Sequence, residues 1–450
     1  MTTDVLAAGT RTRPVTGGGK LLLFLLALVI VVIAEAIGNV SIPVGTGKII
    51  LLPLLWALLL GGAIGLLSPR LPPPLRLSGA MQNAASAYLQ PALLIFIAKL
   101  GLLVGGSLPK ILASGWALVF QEFGHFFGTM VFGLPVALLL GIKREAIGAT
   151  FSVGREPSLA IIGERYGMDS PEGRGVLAEY LTGTVFGAVF IALLAGLITS
   201  LGIFNPLALA MGAGVGSGSM MAAASGAIAA QQTPEVAKEV ATFAAASNLV
   251  TTTIGTYFTL FLSLPFTIWA YGKLEPILGR HRPDAAGPAP AALDAPVHEE
   301  ARIGLPETVL AWIMIGAYGL IGNWLTYGVA PDRTVVAGMA IIVGAVLAGY
   351  ALYLACGRKL PAVLWVSLIG MALTYPATPY AAEIAAMTGK INFLALATPI
   401  LTFAGLSVAK DVPAFRRLGW RIVVVSFMAN AGTFLGAALI AQFFLHAPLG

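Results

Sequence analysis

Polar residues punctuate this chain at intervals, and between them stand apolar runs of about 20 residues, the length that crosses the hydrocarbon core of a bilayer. The runs fall at roughly 20 to 40, 49 to 68, 84 to 106, 112 to 141, 146 to 163, 175 to 202, 206 to 230, 239 to 271, 306 to 326, 334 to 355, 360 to 376, 391 to 409 and 418 to 446. They are continuous rather than alternating, which excludes barrel strands, and in lipid every backbone N–H and C=O must find an internal partner. The pattern therefore predicts an all-α fold: a polytopic transmembrane helix bundle of about 13 helices, some of them interrupted. Start signals separate neighbouring helices: Ser170 before Pro171, Asn205 before Pro206 and Thr233 before Pro234 each pair a capping side chain with proline at the first helical position.

Composition agrees, with 58% hydrophobic and 10% charged residues, and the charge that remains sets a direction. With the N-terminus cytoplasmic, Arg70 and Arg76, Lys143 and Arg144, Lys273 with Arg280 and Arg282, Arg358 with Lys359, and Lys410 with Arg416 and Arg417 all fall on the cytoplasmic side, as the positive-inside rule requires. Lys48, Lys110, Arg333 and Lys390 fall outside, and an odd number of spans carries the C-terminus there too. The first run follows Arg11, Arg13 and Lys20 as a signal peptide would, but no small-residue cleavage pattern follows, so it reads as a retained helix. Residues 280 to 304, rich in Pro, Ala and charge, read as a flexible linker. The domain reading is a cytoplasmic segment at 1–20, a first bundle at 21–275, a cytoplasmic linker at 276–305 and a second bundle at 306–450. The net charge of +6 fits cytoplasmic anchoring, and no basic-aromatic interleaving suggests nucleic acid. The single cysteine, Cys356, excludes an internal disulfide.

A repeat crosses the linker. Residues 108 to 129, LPKILASGWALVFQEFGHFFGT, align without a gap to 412 to 433, VPAFRRLGWRIVVVSFMANAGT, pairing Pro109, Gly115, Trp116, Gly128 and Thr129 with Pro413, Gly419, Trp420, Gly432 and Thr433. Pro91 and Leu93 match Pro399 and Leu401 in the preceding runs. In the topology above the copies are inverted, an arrangement on which many secondary transporters are built. The echo IGN at 37 to 39 and 321 to 323 would be parallel and is read as coincidence.

Two apolar runs carry helix breakers. In MGAGVGSGSMMAAASG, 211 to 226, the glycines at 212, 214, 216 and 218 each disfavour helix by about 1 kcal/mol relative to alanine. Either they pack closely against a neighbouring helix, or they leave an unwound stretch facing a cavity, followed by a half-helix near Ser219 whose N-terminus favours an anion. In FSVGREPSLAII, 151 to 162, Pro157 removes a backbone donor, Glu156 is placed to cap a half-helix starting at Pro157, and Arg155 offers a planar fork for a carboxylate. The bland alternative is an Arg155–Glu156 pair at the membrane interface. The predicted substrate site combines Gly154, Arg155, Glu156, Pro157 and Ser158 with Gly214, Gly216, Ser217, Gly218 and Ser219.

Lys99 interrupts one run, and Glu122 and His125 interrupt the next. Counting from Pro109 puts Lys99 and Glu122 at comparable depth, which suggests an ion pair, with His125 one turn further on the same face. Lys99, Glu122 and His125 are the expected ion-coupling residues, because intramembrane ionisable groups are expensive; a purely structural pair is the alternative. Asn248, Thr251, Thr252 and Thr253 form a polar face expected to bond between helices, while Glu35 and Glu179 are expected to meet solvent near segment ends. The four histidines are scattered and no HExxH occurs, so no metal site is indicated. VGTGK, 44 to 48, lacks phosphate-loop spacing. A serine hydrolase using Ser217, Ser219 or Ser225 would need His125 as base. No enzyme activity and no cofactor is expected.

The segments FSVGREPSLAIIGERYGMDSPEGRGVLAEY and MGAGVGSGSMMAAASGAIAAQQ resemble an uncharacterised bacterial inner-membrane family, domain of unknown function thirty-one hundred. That resemblance implies a multi-pass protein of the bacterial inner membrane and supplies no activity. More distantly, residues 396 to 437 are similar in style to the cation:proton antiporter, bile-acid symporter and 2-keto-3-deoxygluconate permease superfamily, which implies inverted repeats, crossed broken helices and ion-coupled carriage of organic solutes, often anions. The function expected is an ion-coupled secondary transporter of a small organic anion, with a proton or sodium ion as coupling partner, the lipid bilayer as surroundings and a homo-oligomer left open. The other class is a non-transporting membrane scaffold or sensor, favoured if 211 to 226 forms a continuous packed helix without a polar cavity.

Overall fold

The computed structural model describes residues 17–44, 47–72, 76–113, 116–167, 170–279, 303–358, 360–412 and 419–446, with the backbone alone at 44, 47, 48, 110–113, 155, 156, 160, 253, 254, 256 and 446. Residues 1–16 and 280–302, most of the N-terminal segment and of the linker, lie outside the described residues. Helix α1 (Gly17–Ile37) leads into a hairpin of β1 (Val40–Val44) and β2 (Gly47–Leu51); residues 45 and 46 of VGTGK lie outside the described residues. Then follow α2 (Pro53–Leu67), α3 (Gly79–Ala113), α4 (Ala117–Leu139), α5 (Glu145–Thr150), α6 (Arg155–Tyr166) and α7 (Pro171–Thr182). A π turn, Gly183–Gly187, joins α7 to α8 (Ala188–Ser200), and α9 (Pro206–Gly214), α10 (Gly218–Ala229) and α11 (Pro234–Phe258) succeed it. A second π turn, Thr259–Ser263, leads to α12 (Leu264–Leu278). The second bundle holds α13 (Leu305–Tyr327), α14 (Arg333–Ala355), α15 (Ala362–Thr374), α16 (Ala381–Gly389), α17 (Phe393–Val408) and α18 (Trp420–His446).

The fold is all-α, as the apolar runs require. Among the described residues eight helical stretches are long and apolar enough to cross a membrane, nine if α16 and α17, bent by 58°, count as one. Leu21, Leu25, Val29 and Val32 make a continuous exposed apolar stripe along α1, and Leu310, Ile313, Val336, Leu347 and Leu439 are exposed on other helices. Such a surface is stable against lipid, not water, and the chain is a multi-pass membrane protein. The three predicted helix starts hold: Ser170 accepts from Gly173 N, Asn205 from Leu207 N, and α11 begins at Pro234.

The helices of the two sequence copies pack on each other. Gly124 meets Gly436 and Gly128 meets Gly432, so α4 and α18 run antiparallel, and a Cβ on Gly128 would overlap the Gly432 carbonyl. Thr129 and Thr433 hydroxyls bond across the crossing at 2.5 Å. Small residues let backbones approach here because lipid offers no hydrophobic drive to associate. The preceding helices are antiparallel too, since Phe96 meets Phe393 while Tyr88 meets Phe403. Helices α1 and α13 are parallel, joined by Lys20–Glu307 near their starts and Thr326–Glu35 near their ends. Of the aligned repeat positions, Gly115 and Pro413 lie outside the described residues.

Two predicted spans, 146 to 163 and 206 to 230, do not cross. Gly148 packs on Glu172 and Val176, and Gly175 on Glu145 and Ala149, and the starts of the two helices are cross-linked by Arg144–Glu172 and Arg174–Glu145, so α5 and α7 are parallel neighbours. Only residues 167–170 separate the end of α6 from the start of α7, so α6 must return to the end of the bundle from which α5 set out. On the far side of α7–α8, Gly187 packs on Met220 and Gly196 on Ala227, so α10 runs parallel to α8, and Gln231 after α10 donates to Gly196 O. Helix α9, separated from the end of α8 by five residues, thus enters from the opposite end and α10 returns to it. Both segments are re-entrant hairpins, from opposite ends. The reason is length: α6 and α10, at 12 residues each, reach about 18 Å, well short of the roughly 30 Å a span needs. Removing two crossings preserves the odd parity.

Candidate functional site

The tips of the two hairpins meet. Val153 of the first and Val215 and Gly216 of the second line one small cavity, together with Met220 of α10 and Asn430 and Thr433 of α18. At the first tip α5 ends and Gly154 N-caps α6 with extended backbone, donating to Ser152 Oγ at 2.9 Å. The half-helix begins at Arg155, two residues earlier than predicted, and the cap is the Gly154 backbone instead of the Glu156 carboxylate. Proline at the third helical position is tolerated because first-turn N–H groups have no intrahelical acceptor. Arg155 and Glu156 are thus at the tip by backbone, while their side chains lie outside the described residues. Pro157 is exposed. Ser158 is fully buried, its hydroxyl without a partner among the described residues.

At the second tip α9 stops at Gly214 and α10 starts at Gly218, capped by Ser217, which accepts from Met220 N at 3.4 Å and lies 3.2 Å from Ser219 Oγ. The half-helix expected near Ser219 begins one residue earlier. Both readings of the glycines apply, at different positions. Gly212 packs on Phe434, Gly214 on Ala244 and Ser247, and Gly218 on Leu93, whereas Gly216 sits at the break facing the cavity. None of them has positive φ. The carbonyls freed by the break are answered by Asn248 of α11, whose amide donates to Gly214 O at 2.8 Å and Gly216 O at 3.1 Å. This is the interhelical bonding expected of the polar face of α11; Thr253 has only its backbone described.

Asn430 brings in a residue that sequence reasoning missed. Its amide donates to Ser426 O at 2.8 Å and to Glu179 Oε1 at 3.4 Å, while its Oδ1 is buried with no partner among the described residues. Glu179 is 2% exposed, in the interior and not in solvent as expected, because α7–α8 is one long element with Glu179 about two turns inside it. Glu35 is likewise 2% exposed and takes the Thr326 hydroxyl. An asparagine three residues before the aligned Thr433 was the available signal for Asn430, since a polar residue amid apolar neighbours in a membrane helix requires a reason.

The expected Lys99–Glu122 pair does not form. Lys99 donates to Thr388 O, in the last turn of α16, at 2.7 Å, whereas Glu122 accepts from Gln121 at 2.7 Å and from Thr251, with His125 Nδ1 3.4 Å away. Equal counting from the hairpin turn fixed their depth but not their faces, and α3 and α4 present these two residues to different neighbours. Among the described residues no group of three metal-binding side chains occurs.

No curated protein matches the chain, and no solved structure does. A family model described as protein of unknown function (DUF3100) matches residues 32–273. The matched stretch takes in α4, both re-entrant hairpins and the whole of α11, and since it spans more than half of the 450 residues, the chain belongs to the DUF3100 family.

Proposed function

We propose that the protein is a secondary transporter of a small organic anion. The single observation that carries this is the shared cavity: Val153 of one re-entrant tip and Gly216 of the other face it from opposite ends of the bundle, beside Asn430 and Thr433. Backbone breaks at membrane depth are tolerated where they line a cavity, and two half-helices, α6 and α10, begin there with N-terminal N–H groups suited to a negative group. The sequence supplies Arg155 at the first position of α6, a residue suited to grip a carboxylate with two bonds. The antiparallel crossing of the two sequence copies, α4 with α18, is what an inverted pair would give and supports rocking of one part against another. A non-transporting scaffold fits less well, since it was tied to a continuous helix at 211 to 226 and that stretch is broken.

The test is uptake by purified protein in liposomes, screened with carboxylates, sugar acids and amino acids under a pH or sodium gradient. The expected result is gradient-dependent uptake of at least one carboxylate, reduced at least about tenfold by Arg155→Lys, which keeps charge but loses the fork, and by Asn430→Leu, with both variants monodisperse in detergent. No gradient-dependent uptake across the panel would sink the proposal.

A further inference from the structure

A buried ionisable cluster lies next to the second tip, and neither of its residues lines the cavity where the tips meet. Glu122 of α4 is fully buried and His125, one turn on, is 2% exposed. Glu122 takes hydrogen bonds from Gln121 and from the Thr251 hydroxyl of α11, and its other oxygen lies 3.4 Å from His125 Nδ1. With Nδ1–H donating to the carboxylate, Nε2 carries the ring's lone pair, and Nε2 is buried without a partner among the described residues. With an ionised carboxylate the cluster would bear one net negative charge. One proton on Nε2 turns it into an imidazolium–carboxylate pair that is neutral as a whole.

Helix α11 joins this cluster to the tip. Thr251 stands one turn from Asn248, the residue that holds the Gly214 and Gly216 carbonyls, and Thr252 bonds the Asn248 carbonyl at 2.7 Å. Other charges on the packed helices sit elsewhere: Glu235, Lys238 and Glu239 in the first two turns of α11, Glu145 of α5 with Arg174, Glu275 of α12 with Lys143 and neighbouring Lys273, and Arg421 at the start of α18. The π turn 259–263 and α9 carry none, and the side chain of His446 lies outside the described residues.

We propose that the Glu122–His125 pair takes up the proton that drives the carrier, and that its charge sets the packing of the second hairpin tip through Thr251 and Asn248. The proton passes from water to the Nε2 lone pair of His125, while the Nδ1 hydrogen stays bonded toward Glu122. Proton-driven carriage rests on the carrier reading above; the link between pair and tip does not.

The experiment uses the full chain in phosphatidylcholine–phosphatidylglycerol liposomes, with Ser219→Cys at the tip and the native, exposed Cys356 as internal reference. Maleimide labelling of the two sites is quantified by peptide mass spectrometry, and their ratio cancels the reagent's own pH dependence. The ratio is expected to change about tenfold between acid and mildly alkaline pH, and to become flat in Glu122→Gln and in Thr251→Val. A ratio independent of pH in the parent overturns the inference. Should Glu122→Gln fail to fold, Thr251→Val, which leaves the pair intact, carries the test, and a parental pH profile in that variant overturns the route through α11. A pH-linked ratio without gradient-driven uptake supports the link and sinks the carrier; a flat ratio with uptake does the reverse.

Discussion

Asn248 answers two carbonyls that a broken helix would otherwise leave bare, which makes it a support of the tip and not a bystander on a polar face. Asn248→Leu keeps the volume but strands both acceptors in the interior, and each unsatisfied buried group costs about 1 to 3 kcal/mol. Thermal unfolding in detergent is expected to show a clearly lowered Tm, and an unchanged Tm would mean that the carbonyls find other donors. Asp332, outside the spans, N-caps α14: it accepts from the Thr334 hydroxyl at 2.6 Å and Val335 N at 2.8 Å, and these bonds, with Lys390 nearby, hold its carboxyl below the usual range. A depressed folded-state pKa contributes stability above the unfolded value that fades as pH falls through the folded one. Asp332→Ala should therefore lower Tm near neutral pH, with the gap to the parent closing in acid. Residue identities such as Glu122, His125 and the Asn248 face were legible in the sequence as anomalies. Their partners were not, as Lys99 shows by turning to Thr388 O.

At the scale of elements, the antiparallel crossing of α4 and α18 depends on two pairs of facing glycines. The closest atoms to an added Cβ are backbone, which cannot rotate away, so Gly128→Ala forces the helices apart and is expected to cost about 1 to 3 kcal/mol, read as a lower Tm. Gly216→Ala is a milder change, because its Cβ would stand 3.1 Å from the Met220 Cβ, a contact that a shift of a few tenths of an ångström relieves, where Gly128→Ala would overlap a carbonyl. It is expected to leave Tm within a few degrees and to alter labelling at the tip. Breaks and caps at this scale were legible because proline, glycine and serine act locally. The direction taken after a break was not, since it depends on which neighbour receives the half-helix.

For the whole molecule the hairpins make a decisive difference to topology. If 146 to 163 crossed the membrane, Glu164 would lie on the side opposite Lys143; as a hairpin, α5–α6 returns it to the same side. Single cysteines at 143, 164 and 203, each in a Cys356→Ala background and probed in vesicles of known orientation, are expected to place 143 and 164 together and 203 across the membrane. Labelling of 203 with 143, and of 164 on the opposite side, would restore the thirteen-span arrangement. The membrane class, the all-α fold, the ends of most long helices and the two sites of helix interruption were legible in the chain alone, because run length, capping chemistry and breaker residues act over a few positions. Only the tertiary structure decided that two apolar runs double back, that their tips converge beside Asn430, and that Glu122 faces His125 and Thr251 in place of Lys99. An apolar run of 18 to 25 residues has the same composition whether it crosses or folds on itself, and the choice rests on packing between segments far apart in sequence.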